Sequence, residues 1–354
     1  MSEFEPTFNP EQSPAETGMN LDALKFEQTK GEVNLNIANK YYHPPEYEDT
    51  YSGICDVDSP EVARAMADKL RETRKDPNRK IMIGVMTTPI ILNPELPVPE
   101  AVRNGVAKEF LAKEEISRGF TDDPDVLNTI HYADLYGPDG PWKGQESPEV
   151  CKNLELCVKY GGENLHAIQL DITWPKPDEI KMFKEKHPDI LIILQLGKNA
   201  MDEVNSDPQE IVSRLAEYGD SIDHVLLDLS MGKGRKMDET DVAVIRRLLN
   251  VIQYKLPDLG LALAGGLGAA SEADDSSGSV YSMEALERIA ADFPNISIDA
   301  QTGIKPDGAP TDFLGHSMAT TPADSYKAAR YIERASEILD NNTDLTNPDQ
   351  ISWI

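Results

Sequence analysis

Apolar runs that close on a polar or glycine-rich signature, repeated with helical stretches between them, constrain this chain most. In the second half, Asp223-His-Val-Leu-Leu-Asp228 leads into Met231-Gly-Lys-Gly-Arg-Lys236. Leu261-Ala-Leu-Ala-Gly-Gly-Leu-Gly268 follows, and then Ile296-Ser-Ile-Asp-Ala-Gln-Thr-Gly303. In the first half the runs are Ser52 to Val57, Lys80 to Thr87, Val126 to Ala133, His166 to Asp171 and Asp189 to Leu196. Near-continuous apolar strands separated by helices belong to a parallel sheet covered on both faces, with polar residues gathered at the strand ends.

The helical stretches carry their own start signals. Ser59-Pro60, Ser147-Pro148-Glu149, Asp207-Pro208 and Thr321-Pro322 each place a capping side chain or a proline where a first turn leaves N–H groups unmet. After Ser59, the residues Val62, Ala63, Met66, Ala67 and Leu70 share one helical face. A further helix is expected near residues 99–113. Eight strands alternating with helices predict an α/β fold, a (β/α)8 barrel over residues 51–341. Residues 1–50 read as a polar, acidic N-terminal extension, in which Leu24-Lys-Phe-Glu and Glu32 to Ile37 could form short strands. Residues 342–354 read as a C-terminal tail, and Ser271 to Val280 as a loop after the seventh strand. The rival is a doubly wound open sheet, which would carry G-x-G-x-x-G after its first strand; no such turn follows Val57 or Thr87.

Charge limits the partners. The 354 residues include 62 acids and 34 bases, a formal net charge of −28. That field repels phosphodiester backbones, so nucleic acid is not expected as a partner. No apolar run reaches membrane-spanning length, and the first residues lack the basic and apolar regions of a signal peptide, so no membrane partner and a cytoplasmic location are the expectations. Cys55, Cys151 and Cys157 show no zinc-like spacing, and neither metal nor cofactor is expected. Cys151 and Cys157 share a helical face with Val150, Leu154 and Val158 and read as core. H-E-x-x-H, G-x-x-x-x-G-K-[ST] and G-x-S-x-G do not occur, which leaves metalloprotease, P-loop and α/β-hydrolase chemistry without support.

What remains is a set of groups at strand ends. Gly265, Gly266 and Gly268 follow the seventh strand directly, and Thr302 and Gly303 follow the eighth. Backbone N–H groups in such turns can converge on an anion, and a (β/α)8 barrel builds its phosphate site there; two tight turns without a ligand are the plain alternative. Asp228 ends an apolar strand, where partial desolvation would raise its pKa toward proton donation; a cap or an ion pair with Lys233 or Arg235 would explain it equally simply. Cys55 ends the first strand and could serve as a thiolate base if a cation or helix N-terminus lowered its pKa, although a free cysteine is more often a buried packing residue. Gly232, Lys233, Gly234, Arg235 and Lys236 make a flexible basic island beyond Asp228, able to hold a phosphate or carboxylate or simply to balance nearby acids. Lys198 is a weaker candidate of the same kind. His131 reads more readily as a hydrogen-bonded barrel residue than as a catalyst.

Taken in order, these motifs resemble phosphoribosylanthranilate isomerase, a tryptophan-biosynthesis barrel. The resemblance lies in Gly53-Ile-Cys55-Asp56 on the first strand, Leu226-Leu-Asp228 with its glycine-rich loop, Leu263-Ala-Gly-Gly-Leu267, and Asp299-Ala-Gln-Thr-Gly303. It implies an Amadori-type aldose–ketose isomerisation of a small phosphorylated sugar without a cofactor. Asp228 would be the general acid that opens the ring, Cys55 the base at C2, and Gly265, Gly266, Thr302 and Gly303 the phosphate cradle. The chain departs from the family after the second strand, where Thr87-Thr-Pro-Ile-Ile-Leu-Asn-Pro carries no arginine, and at the fourth, which ends Gln169-Leu-Asp171-Ile172 rather than in histidine and glycine. Those departures motivate an alternative, a catalytically silent phosphosugar-binding or sensor barrel. A lyase or decarboxylase would want a strand-end lysine, for which Lys198 is the candidate.

Overall fold

The computed structural model describes residues 50–133, 149–229, 236–268, 283–311 and 318–343. Eight parallel strands close on themselves in chain order: β1 Tyr51–Cys55, β2 Lys80–Thr87, β3 Val126–Ala133, β4 Ala167–Asp171, β5 Leu191–Gly197, β6 His224–Asp228, β7 Gly260–Ala264 and β8 Ser297–Ala300. The last pairing, β8 with β1, sets Gly53 beside Asp299 and completes the ring. The fold is a (β/α)8 barrel, as the strand and helix pattern predicts. The expected N-terminal extension, the end of the C-terminal tail, the loop at 271–280 and positions 232–235 lie outside the described residues.

Side-chain alternation divides the core. Residues such as Ile54, Ile83, Ile130, Ile168, Leu194, Leu227, Leu263 and Ile298 point outward and join the helices in one large apolar layer. Their neighbours Tyr51, Met82, Leu127, Ala167, Ile193, Leu226 and Ala262 point inward and pack as a separate cluster inside the barrel. Arg79, buried, closes the N-terminal end by donating from Nη1 to the carbonyls of Tyr51 and Ile296, at 3.2 and 3.0 Å.

Side-chain caps set several of the helix starts. Ser59 Oγ accepts from the Val62 N–H at 3.3 Å ahead of the helix Pro60–Thr73, which buries Ala63, Met66, Ala67 and Leu70. Asp207 caps Pro208–Tyr218 through the Gln209 N–H. The helix expected near 99–113 spans Glu100–Glu109. Cys151 and Cys157 are buried in the outer layer, as their helical face implies. One start differs. The helix predicted from Thr321-Pro322 begins at Ser325, where Asp324 Oδ1 accepts from the N–H groups of Tyr326 and Lys327. The preceding residues are engaged elsewhere: the Thr321 carbonyl accepts from Lys305 Nζ, and the Ala323 N–H donates to the Asp56 carbonyl. Among the described residues, no helix is long and apolar enough to cross a membrane.

Candidate functional site

Above the apolar cluster, the inward positions of the same strands turn polar. Cys55, His131, Gln169, Asp228 and Asp299 are all buried; Cys55 and Asp228 end their strands, His131 and Asp299 lie in the C-terminal halves of theirs, and Gln169 stands at the middle of β4. Two further features make room for them. Gly53 and Gly84 carry no side chain on the inner wall, where a Cβ on Gly53 would sit 2.5 Å from Asp299 Oδ1 and one on Gly84 would collide with the His131 ring. The large polar residues of β8 and β3 therefore lie over bare backbone of β1 and β2.

The sulfur of Cys55 points into the barrel. It lies 3.6 Å from Asp299 Oδ1 and 3.7 Å from His131 Nδ1, while His131 Nε2 is 4.0 Å from Asp299 Oδ2. One donor atom from each of the three side chains falls within 4.8 Å of the other two, a set with the chemistry of a transition-metal site. Gln169 bonds to Asp299 and donates from Nε2 to Gln195 Oε1 at 2.8 Å; Gln195 Nε2 in turn approaches Asp228 Oδ2 at 3.5 Å. A chain of polar contacts thus runs from Cys55 through Asp299, Gln169 and Gln195 to Asp228. The Nε2 of His131 and the Oε1 of Gln169 are buried and make no hydrogen bond.

The electrostatics differ from those the sequence implies for Cys55. Burial pushes its thiol well above the ordinary value; Asp299 and Asp56 add to the shift, and Lys305 opposes it without winning. The neutral thiol, not a ready-made thiolate, is the favoured form, because burial disfavours the charge first and the one opposing cation does not offset it. Burial likewise pushes the Asp299 carboxyl up, against the pull of His131 and of hydrogen bonds from Cys55 and Gln169. Lys305 is committed to a buried ion pair, Nζ to Asp56 Oδ2 at 2.6 Å. Asp56 itself turns the chain out of β1 with a φ of 60°, which ends the strand two residues before the expected Val57.

The glycine turns after β7 and β8 are neighbours. Gly265 and Gly266 have φ of 103° and 67°, open to glycine at little cost. Gly268 then pairs with Gly303 in a parallel bridge, so the segment with Gly265 and Gly266 runs alongside the one with Thr302 and Gly303. Gly232, Lys233, Gly234 and Arg235 lie outside the described residues. Lys198 does not approach the interior: it is half-exposed and pairs with Asp202 one turn along its own helix. In the sequence Gln169 and Asp299 stand out only as members of motifs, and Gln195 not at all. Their signal was parity, because a polar residue in an apolar strand, in step with Asp228 or Cys55, must face the interior.

No protein-family model and no curated protein matches the chain. Among solved structures it is similar to the catalytic domain of a hyperthermophilic chitinase from Pyrococcus furiosus, with TM-score 0.47, 13% identity and coverage of 85% of this chain and 96% of that one. Tryptophan synthase subunit alpha from Legionella pneumophila gives 0.46 at 10% identity, covering 82% and 93%. Triosephosphate isomerase from Bartonella henselae gives 0.40 at 10%, covering 82% and 99%. At such distances the likeness carries no inference about chemistry, and the fold rests on the closed strand order itself.

Proposed function

We propose that this barrel binds a small phosphorylated sugar and catalyses an Amadori-type aldose–ketose isomerisation, in the manner of the phosphoribosylanthranilate isomerases it resembles. The observation that carries the reading is the inward placement of Cys55 on β1 and Asp228 on β6, joined by one polar chain at the C-terminal end of the barrel. Such a reaction needs two proton transfers at separate atoms. Asp228 would give a proton to the ring oxygen as the C1–O bond breaks, leaving an iminium at C1. Cys55 would then take the C2 proton; the C–H electron pair would form the C1–C2 double bond as the iminium π pair returns to nitrogen, and the enolamine would tautomerise to the ketose as C1 gains a proton and the C2 hydroxyl loses one. The cationic iminium is what would draw a buried thiol toward its thiolate, and His131, 3.7 Å from the sulfur, is placed to receive the thiol proton. The phosphate would rest on the paired turns at Gly265, Gly266, Thr302 and Gly303, with the basic residues of 232–235 as further ligands.

The test is calorimetric binding and turnover of a phosphoribosylated aromatic amine. Asp228→Asn should lower kcat by about 10²–10⁴-fold with binding retained. No binding of phosphate or phosphosugar by the intact protein would remove the reading. Binding without turnover, and without rescue of a tryptophan auxotroph lacking the isomerase, would favour a silent sensor barrel. The raised thiol pKa is the observation on that side.

A further inference from the structure

We propose that Cys55, His131 and Asp299 form a binding site for a thiophilic divalent cation of the zinc class. The inference is independent of the isomerase reading, and it starts from shape. In a nucleophilic triad the imidazole stands between the nucleophile and the carboxylate, so that the three groups lie in a row. Here the thiol contacts the carboxylate directly, at 3.6 Å, as well as the imidazole, at 3.7 Å. The three groups close a triangle. A tetrahedral centre with metal–sulfur and metal–nitrogen or –oxygen bonds of about 2.0–2.3 Å holds its ligand atoms about 3.3–3.7 Å apart. The cluster already has two of its sides at that spacing.

The ligand chemistry agrees. A thiolate, an imidazole and a carboxylate together suit zinc or cobalt rather than magnesium or calcium, which want oxygen alone. All three residues are buried, at 1%, 4% and 6% exposure, so a dication would neutralise two charges that the interior otherwise disfavours. The Nδ1 of His131 is the nitrogen at the tetrahedral spacing from the sulfur, while Nε2, buried and without a hydrogen bond, faces Asp299 Oδ2 at 4.0 Å. Gln169, hydrogen-bonded to Asp299, stands where a partner orients a metal-binding carboxylate. Three protein ligands, not four, are the complement of a centre that keeps a position for water or substrate. A sulfur bound to a cation cannot also take a proton from carbon. The loaded protein would therefore be unable to use Cys55 as a base, and zinc would act as an inhibitor of any isomerisation that depends on it.

The experiment is titration of the chelator-treated full-length protein with Co²⁺, followed by displacement with Zn²⁺. One equivalent of Co²⁺ should give a thiolate-to-cobalt charge-transfer band and tetrahedral d–d absorption, both lost on adding Zn²⁺. Cys55→Ser should abolish the charge-transfer band. His131→Gln and Asp299→Asn, checked for native circular dichroism, should each weaken Co²⁺ binding at least about tenfold. Cys151→Ser, on the outer helical layer, should change nothing. Absence of the band in the unaltered protein, or its survival in Cys55→Ser, would overturn the site. Phosphosugar binding on the same samples separates the two readings. Binding without a cobalt band removes the metal site alone, whereas a cobalt band without phosphosugar binding supports it and counts only against the isomerase.

Discussion

The inside of the barrel has two storeys built from the same strands. Below, Tyr51, Met82, Leu127, Ala167, Ile193, Leu226 and Ala262 fill the space with apolar volume. Above, one or two inward positions further along, stand Cys55, His131, Gln169, Gln195, Asp228 and Asp299, with two polar atoms left unbonded. Leu226 and Asp228 belong to the same strand and face, yet one sits among carbon and the other ends a polar chain. The lower storey holds the molecule together. The upper one spends part of that stability on holding desolvated polar groups in fixed positions.

A substitution in each storey should separate the two roles. Leu226→Ala should destabilise the barrel by about 2–5 kcal/mol, because the packed floor cannot collapse around the lost volume. Asp228→Asn, two residues on, should shift the urea midpoint far less while lowering the proposed isomerisation by about the 10²–10⁴-fold expected above. Equal destabilisation by both would break the distinction. Gly84→Ala comes next. Its methyl group would meet the His131 ring, and overpacking of this kind costs about 1–3 kcal/mol. Adding His131→Ala should recover much of the loss, and a double-mutant cycle without coupling would show that the two do not share the space.

The outer wall supplies the smallest effect. Asp125 lies just before β3, where burial opposes its ionisation but hydrogen bonds from Arg71 and Arg74 outweigh it and hold its carboxyl below the usual range. Its contribution is therefore complete above the unfolded carboxylate pKa and is lost as the pH falls through the lower folded value. Asp125→Asn should cost about 0.5–1 kcal/mol at pH 7 and nearly nothing at about pH 2, measured by denaturant unfolding at both. An equal cost at both pH values would show that the residue acts through packing instead.

The strands were readable because each is a contiguous run. β2 and β3 have the bounds that their apolar stretches imply, and the helix after Ser59 begins where its cap and proline place it. Local pattern failed where distant contacts decided. Nothing near Thr321 announces that Lys305 and Asp56 will hold residues 321–323 out of a helix. The site divides in the same way. The strand-end positions of Cys55 and Asp228 are legible from the sequence, but the face each one takes is not, because both strands are buried along their whole length. The approach of Cys55 to His131 and Asp299 joins positions 76 and 244 residues apart, and it depends on the stagger of the closed sheet, which no spacing within one segment records. The thiol's raised pKa follows first from its burial and then from Asp299, which arrives from the far end of the chain, so the condition for a thiolate base is not met.

Gly53 and Gly84 set how the polar heads are seated in this barrel. The heads of Asp299 and His131 recess into notches in the wall instead of projecting toward the axis. Filling either notch would push a polar head out of its recess and against its neighbours across the barrel. A redesign that keeps these polar heads in place must therefore leave both glycines untouched, since their seats are carved in the staves and not in the rim.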